Sequence, residues 1–424
     1  MPIRALLWLC AFVVGGIASL SEPIFGLLTY LLDYYAHPPL RWWGQALPNF
    51  RWSLITTAIL AGALLIKGRW FLGRETMRHA QTKWLLAFLA VAAAVTPLAV
   101  SRESTLHFLG SLAKLVLLYL LIVGAIRTPK HYRYVVLAMV LGAFLWGFDS
   151  WIDPHMRSGR LERVGGPDCF NDNSAAAHLL TALPFIGILF AKGRGWHRMI
   201  ALGAAPFVMN AIIQCNSRGA SVAIAVAAVF AVLLAKGRFR LQVAGLGILA
   251  SVLAFNLMSQ TFIERQITLA QYEEDGSAMG RIESWKGALR LIGDHPLGTG
   301  GGGFDILSPV YIPDVVAAHG GEERAVHNTY LWVASDWGIL GLVCFIGIIV
   351  STLLELHRIR RDSPDPGIQS DSYAIEVAFI GFLVAAIFIN RPYAEIFYWL
   401  IALTAALRNI QIGQEVMIRS EAAA

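Results

Sequence analysis

Long apolar runs separated by short polar links recur along almost the whole chain. A helix that spans a bilayer needs about 20 mostly apolar residues. The runs that approach this length are Trp52–Lys67, Trp84–Val100, Leu106–Ile126, Arg133–Trp151, Ala176–Ala191, His197–Ile213, Gly219–Ala235, Leu241–Met258, Asn328–Leu354, Ala374–Ile389 and Tyr393–Leu407. The first stretch, Arg4–Tyr35, reads either as two short helices or as one helix broken at Ser21-Glu22-Pro23. The pattern predicts an all-α, polytopic membrane protein. Eleven runs and one crossing by Arg4–Tyr35 make about twelve transmembrane helices, with both termini on the same side.

Lysine sets the expected orientation. Lys67, Lys83, Lys130, Lys192 and Lys236 lie in or beside alternate links, and the basic stretch His357–Arg361 continues the alternation. Basic links stay in the cytoplasm. The intervening links, 36–51, 101–105, 152–175, 214–218, 259–327 and 390–392, then face out. This divides the chain into N-terminal transmembrane helices (1–258), a large periplasmic loop (259–327), C-terminal transmembrane helices (328–409) and a cytoplasmic tail (410–424). The loop holds an acidic turn (Glu273-Glu274-Asp275-Gly276), a helix-like stretch Met279–Ile292, a Gly-rich run Gly298–Gly303, and a polar end through Asp314, His319, Glu322, Glu323 and Arg324. Loops of this length are usually functional or disordered. The apolar and aromatic residues retained in this one favour a folded cap over the bundle.

Composition sharpens the picture. Charged residues make up 15% of the 424, against about 25% in soluble proteins. Mean hydropathy is +0.58. The net charge of +6 resides mostly in links beside apolar runs, where it sets topology and does not point to nucleic acid. The outward links carry twelve arginines but one lysine, Lys286. Arginine matches phosphate with a bidentate fork and stays charged when partly buried. Most of the twelve are expected simply to snorkel or to pair with nearby acids. Cys10 and Cys344 sit in apolar runs as packing residues, whereas Cys169 and Cys215 share the outer side, with a disulfide between them left open. The N-terminal run lacks a small-residue cleavage site and reads as a retained span.

Three motifs carry candidate chemistry. Asn216-Ser217-Arg218-Gly219 opens a span, and Ser217 or Asn216 is placed to cap it. Gly280-Arg281-Ile282-Glu283-Ser284-Trp285 lies in the long loop, where a surface pair of Arg281 with Glu283 or Glu274 is the plain alternative to a binding role. His327-Asn328-Thr329-Tyr330-Leu331 starts the next span. A lone interfacial histidine more often ends a helix than catalyses, but neighbouring arginines would keep this one neutral and able to accept a proton. Arg163, Asn328, Tyr330, Arg391 and Glu395 are candidate supporting residues, with Glu395 set either to orient His327 or to pair with Arg391. The Gly298–Gly303 run lacks the Lys-Ser/Thr and flanking strand of a phosphate loop and reads as a turn that folds the loop back on the bundle. Asp168 and Asp172, with Asn171 and Asn173, suit a turn or helix cap better than a cation site. No metal-ligand spacing appears, and no metal or cofactor is expected. Lys114 is the main mid-span charge.

Together these motifs resemble the superfamily of O-antigen ligases (WaaL), Wzy-type polymerases and protein O-oligosaccharyltransferases. The resemblance rests on Ser217-Arg218-Gly219, on Gly280-Arg281 with Trp285, and on His327-Asn328-Thr329-Tyr330-Leu331, with Pro296-Leu297-Gly298-Thr299-Gly300 also similar. It covers about Asn216 to Leu340; the first half is similar only in hydropathy. It implies a GT-C-like, inverting, metal-independent glycosyltransferase of the bacterial inner membrane with its active site facing the periplasm. The donor would be an undecaprenyl diphosphate-linked glycan. Arg218 and Arg281 would hold the diphosphate, and His327 would deprotonate the acceptor. Within the superfamily, the chain's end soon after its last span favours an O-antigen ligase in lipopolysaccharide biosynthesis, with lipid A-core as acceptor and membrane lipids as the other partners. A Wzy-type polymerase or protein O-oligosaccharyltransferase is the alternative. From another class, a lipid-linked sugar transporter would be expected to carry more mid-span charge.

Overall fold

The computed structural model describes residues 1–69, 72–169, 171–257 and 276–423. The acidic turn at Glu273-Glu274-Asp275 and Arg265 lie outside the described residues. The helices are α1 (Ile3–Ser21), α2 (Ile24–Ala36), α3 (Trp52–Ile66), α4 (Arg74–Met77), α5 (Ala80–Val95), α6 (Arg102–Ala125), α7 (Pro129–Ile152), α8 (Asp172–Leu179), α9 (Ala182–Lys192), α10 (Trp196–Gln214), α11 (Arg218–Leu234), α12 (Gly237–Leu257), α13 (Gly276–Asp294), α14 (Gly303–Tyr311), α15 (Pro313–Ala318), α16 (Thr329–Asp362), α17 (Pro366–Ala385) and α18 (Glu395–Ala423). Among the described residues the only strands are β1 (Met156–Arg157) and β2 (Arg160–Leu161), a small hairpin.

Within the described residues, each of the eleven apolar runs falls mostly on helix. Among the described residues, eight helical segments are long and apolar enough to cross a membrane: Ile3–Ser21, Ala80–Leu98, Arg102–Ala125, Pro129–Ile152, Asp172–Lys192, Thr329–Asp362, Pro366–Ala385 and Glu395–Ile418. Trp52–Ile66 and Arg218–Leu234 are shorter apolar helices. The chain is an all-α, multi-pass membrane protein.

The start of the chain corrects one expectation. Arg4–Tyr35 does not form a single crossing. Glu22 is extended (φ −147°, ψ 120°) and Pro23 leads into α2, so α1 and α2 fold back on each other. A side chain at Gly15 would strike Thr29, and one at Gly26 would meet Ser19, the register of an antiparallel hairpin. Proline cannot supply the amide that would carry the first helix through this point.

The links sort into two ends. At one end Arg69 meets Glu22 (2.5 Å), Arg127 meets Glu75, His79 meets Asn409 (2.9 Å) and Lys192 meets Ser370 (2.6 Å). At the other, Arg41 pairs with Asp149 (3.0 Å), Val100 N donates to Thr299 O (2.8 Å), and Asn328 N donates to Asn390 Oδ1 (3.0 Å). The lysine-bearing links thus share one end, and the links with arginine but almost no lysine, here called the arginine-rich end, share the other.

The centre of the bundle is the first half of α18. Every residue from Ile396 to Leu407 is buried, and all but Thr404 are apolar, as expected of a helix hydrophobic all round. By contrast α1 and α12 leave many large side chains exposed, among them Leu7, Val14 and Ile17 on α1 and Leu241, Ile248 and Phe255 on α12. Exposed apolar faces of this extent suit a lipid environment. Lys114 is exposed midway along α6.

The loop between α12 and α16 packs on the arginine-rich end with a small core of its own: Ala288, Leu291, Phe304, Ile312, Val316, Val326 and Trp332. Its glycine run is a splice. Thr299 N and Gly300 N donate to Ser335 O (3.0 Å) and Asp336 O (2.9 Å), Ile339 N donates to Pro296 O (3.0 Å), and Gly302 N donates to Asp336 Oδ2 (2.8 Å). This is possible because α16 breaks at Gly338 (φ 71°, ψ −175°), which frees its carbonyls and amides for the passing segment. A Cβ at Gly338 would lie 2.4 Å from the Leu297 carbonyl carbon. The run therefore folds the loop onto the bundle; three of its amides are bound by Ser335 and Asp336 and cannot cradle a phosphate.

Candidate functional site

Arg218 is the first residue of α11. Ser217 caps that helix, its Oγ accepting from Ala220 N (3.3 Å), and Asn216 makes the preceding turn in the left-handed region (φ 49°). The tight turn from α10 to α11 keeps Arg218 at the arginine-rich end. Gly219 follows because the first turn of α11 presses on Phe388, where a Cβ would lie 2.9 Å from the Phe388 Cβ.

Arg281 comes from α13. Ser284, Ala288 and Leu291 form its buried stripe, and Arg281, one turn before Ser284, shares that face. Of the alternative surface pairs, the one with Glu283 does not form, since Glu283 binds Lys286 at 2.7 Å, and Glu274 lies outside the described residues. Among the described residues no carboxylate salt-bridges Arg281. Burial, followed by the charges of Arg160 and Arg218, lowers its pKa, and Asp172 partly offsets this.

His327 sits in the left-handed region (φ 52°) just before α16. That conformation is uncommon for histidine and costs energy. It is held from both sides: Val326 is buried in the loop's core, and Asn328 caps α16, its Oδ1 accepting from Tyr330 N (3.0 Å) and Leu331 N (3.1 Å). Thr329 ties the turn to the α17–α18 link through Ile389 O (2.6 Å) and Arg391 N (2.9 Å). Among the described residues neither ring nitrogen of His327 makes a hydrogen bond. Burial, then Arg281 and Arg324, push its pKa down to about 4, so the ring is neutral at neutral pH.

The three motifs therefore meet. Arg281 lies in the fields of both Arg160 and Arg218, and His327 lies in the field of Arg281. Of the supporting candidates, Arg163 is exposed. Asn328 and Tyr330 act on the backbone, Tyr330 OH donating to Leu383 O (2.9 Å). Glu395 neither orients His327 nor pairs with Arg391. Its Oε2 accepts from Tyr30 OH (2.6 Å), and its amide donates to Asp168 Oδ2 (2.9 Å). Arg391 spends its fork on Asp168 instead, at 3.1 Å to Oδ2 and on to the Asp168 carbonyl. Burial alone would raise the Asp168 pKa; Arg391, His178 and Tyr34 hold it below the usual carboxylate range. Asp172 pairs with Arg160, and Asn171 caps α8 through Ser174 N (2.9 Å), so the Asp168–Asn173 run serves turns and ion pairs. Cys169 and Cys215 are both buried free thiols.

Sequence reasoning missed Arg160 as a member of the cluster. It lies on β2, after a Ser158-Gly159 turn with both φ positive (50° and 70°), the hairpin geometry such a pair favours. That Ser-Gly flanked by Arg157 and Arg160 was the available signal.

The fold and the site define a polytopic membrane protein with arginines and a neutral histidine gathered at one end of its bundle, beside a folded loop. Residues 203–346, about a third of the chain, match the family model described as O-antigen ligase. All three motifs lie inside that match, and over these residues the chain is similar to the O-antigen ligase family. No curated protein matches the chain.

Proposed function

We propose that this protein is an O-antigen ligase, moving O-antigen polysaccharide from undecaprenyl diphosphate to a lipid A-core sugar hydroxyl on the periplasmic side of the bacterial inner membrane. The observation that carries the reading is the meeting of Arg218, Arg281 and a neutral His327 at one end of the bundle. A diphosphate is a good leaving group and needs no general acid. It needs cations where its charge grows, which two guanidinium groups supply, and a base for the attacking hydroxyl, which the unbonded His327 ring supplies. In-line attack inverts the anomeric carbon: the acceptor oxygen bonds to it, the bond to the diphosphate oxygen breaks, and the hydroxyl proton passes to His327. Apolar surface between spans suits the isoprenoid chain. The lysine-poor character of this end supports its placement outside the cytoplasm.

The test is transfer in vitro with purified protein, undecaprenyl diphosphate-linked glycan and lipid A-core, with EDTA present and His327→Ala alongside. Product on lipid A-core with wild type, and none with the variant, is the expected result. Chain growth on the lipid-linked glycan alone would assign polymerase activity instead. Absence of either product from folded protein would overturn the glycosyltransferase reading.

A further inference from the structure

We propose that Asn390 is a positioning residue for His327: its side-chain oxygen fixes the peptide that follows the histidine, and with it the direction of the imidazole. The proposal rests on the reading of His327 as the base of a glycosyl transfer. Asn390 lies on the link between α17 and α18, outside the 203–346 match.

The backbone at His327 is the reason a holder is needed. Its φ of 52° is disfavoured for a residue with a Cβ, and such a residue stays there only where its neighbours over-determine it. On one side the chain is fixed by Val326, fully buried in the loop's core. On the other, the start of α16 is fixed without help from Asn390. Asn328 caps the helix with its own side chain. Thr329 binds the α17–α18 link: its amide donates to Ala386 O (2.9 Å), its Oγ1 donates to Ile389 O (2.6 Å), and the same Oγ1 accepts from Arg391 N (2.9 Å). What these bonds leave over is the His327–Asn328 peptide. Its N–H belongs to the cap residue, ahead of the helix, where no carbonyl of α16 can accept from it. Asn328 is 7% exposed, so this donor would be stranded without a partner, and Asn390 Oδ1 accepts from it at 3.0 Å. With Val326 held, His327 cannot leave the left-handed region unless this peptide turns, and the same turn would swing the ring. Asn390 opposes that turn. Its own backbone is steady, because the residues on either side, Ile389 and Arg391, are both bound to Thr329.

Transfer kinetics with purified full-length protein, undecaprenyl diphosphate-linked glycan and lipid A-core test this, with thermal melting alongside. Asn390→Ala is expected to lower kcat by about 10- to 100-fold, the scale of a misplaced reacting group. KM for the donor should stay within about threefold of wild type, because Arg218 and Arg281 are untouched. Asn390→Asp keeps an acceptor oxygen at the same reach and is expected to return kcat to within about threefold of wild type. A merely structural residue would give neither the split between kcat and KM nor the rescue. A fall in kcat of less than about fivefold for Asn390→Ala overturns the proposal, as does an equal fall in Asn390→Asp or a change confined to KM. Should melting show that Asn390→Ala does not fold, Asn390→Leu, of similar volume but without an acceptor, is judged by the same threshold. If wild type extends neither lipid A-core nor the lipid-linked glycan, or if His327→Ala works normally, the reading beneath the proposal falls. If wild type works and His327→Ala does not, while Asn390→Ala is near normal, only the role of Asn390 falls.

Discussion

Arg391 and Arg281 stand at the same end of the bundle and carry the same charge, yet their surroundings are opposite. Arg391 is 7% exposed and ion-paired: its two terminal nitrogens bind Asp168, whose oxygens also take Tyr34 OH and the Glu395 amide, and its buried Nε alone lacks a hydrogen bond among the described residues. Arg281 is half-buried, has no salt bridge among the described residues, and faces two like charges. A buried arginine that is satisfied holds structure together, because breaking its pair strands a charge. A partly buried arginine left unsatisfied, among other cations, is kept at a cost that an anionic ligand can repay. The difference separates framework from chemistry where sequence alone sees only two outward arginines.

The contrast is broken most severely at the proposed base. His327→Ala is expected to lower the rate of transfer by about 10²- to 10⁴-fold, the range for loss of a general base, with melting temperature little changed. Transfer kinetics beside a thermal melt would check it; a loss matched by unfolding would move His327 to the framework side. Arg391→Ala should do the reverse. It leaves Asp168 half-buried without its cation, and a destabilisation of about 3–5 kcal/mol is expected in a denaturation titration. Arg281→Lys keeps the charge and loses the fork, and should cost most of the activity through weaker donor binding, while the fold survives. Near-normal transfer by this variant would remove Arg281 from the diphosphate site.

The pH dependence sharpens the comparison further. His327 must be neutral to accept a proton, and its pKa is down at about 4. The profile of kcat/KM, which reports the free enzyme, should therefore stay flat on falling from neutral pH and drop only near pH 4. Bound diphosphate cancels part of the field of Arg281 and Arg324, so the corresponding fall in kcat should lie at higher pH. Coincident limbs would mean that the diphosphate does not sit beside His327. The smallest effect is expected from Asn328→Ala, about 0.5–2 kcal/mol of stability for a lost helix cap, read by melting.

Much of the fold was legible because it is local. Apolar runs fix where helices lie, and Gly298–Gly303 announced a turn. The Ser-Arg-Gly, Gly-Arg and His-Asn motifs stood out as candidate chemistry, and their meeting depends on packing that no single motif carries. What stayed hidden joins residues far apart in the chain. Nothing near Asp168 indicates that its partner is Arg391, or that Tyr30 from the first hairpin supports Glu395. The α1–α2 fold-back was open for a related reason: hydropathy measures how apolar a stretch is, not whether Pro23 turns the chain round. Arg160 was one arginine among twelve until the hairpin carried it to Asn173.

The splice at Gly338 also orders events during synthesis. The glycine run leaves the ribosome before its hydrogen-bond partners at Ser335 and Asp336 exist, because those lie at the head of the following span. The loop must therefore wait, unlatched, until that span has entered the bilayer. The loop reaches its place only when the bundle beneath it is nearly whole, so a truncated or stalled chain cannot bring Arg281 and His327 together with Arg218.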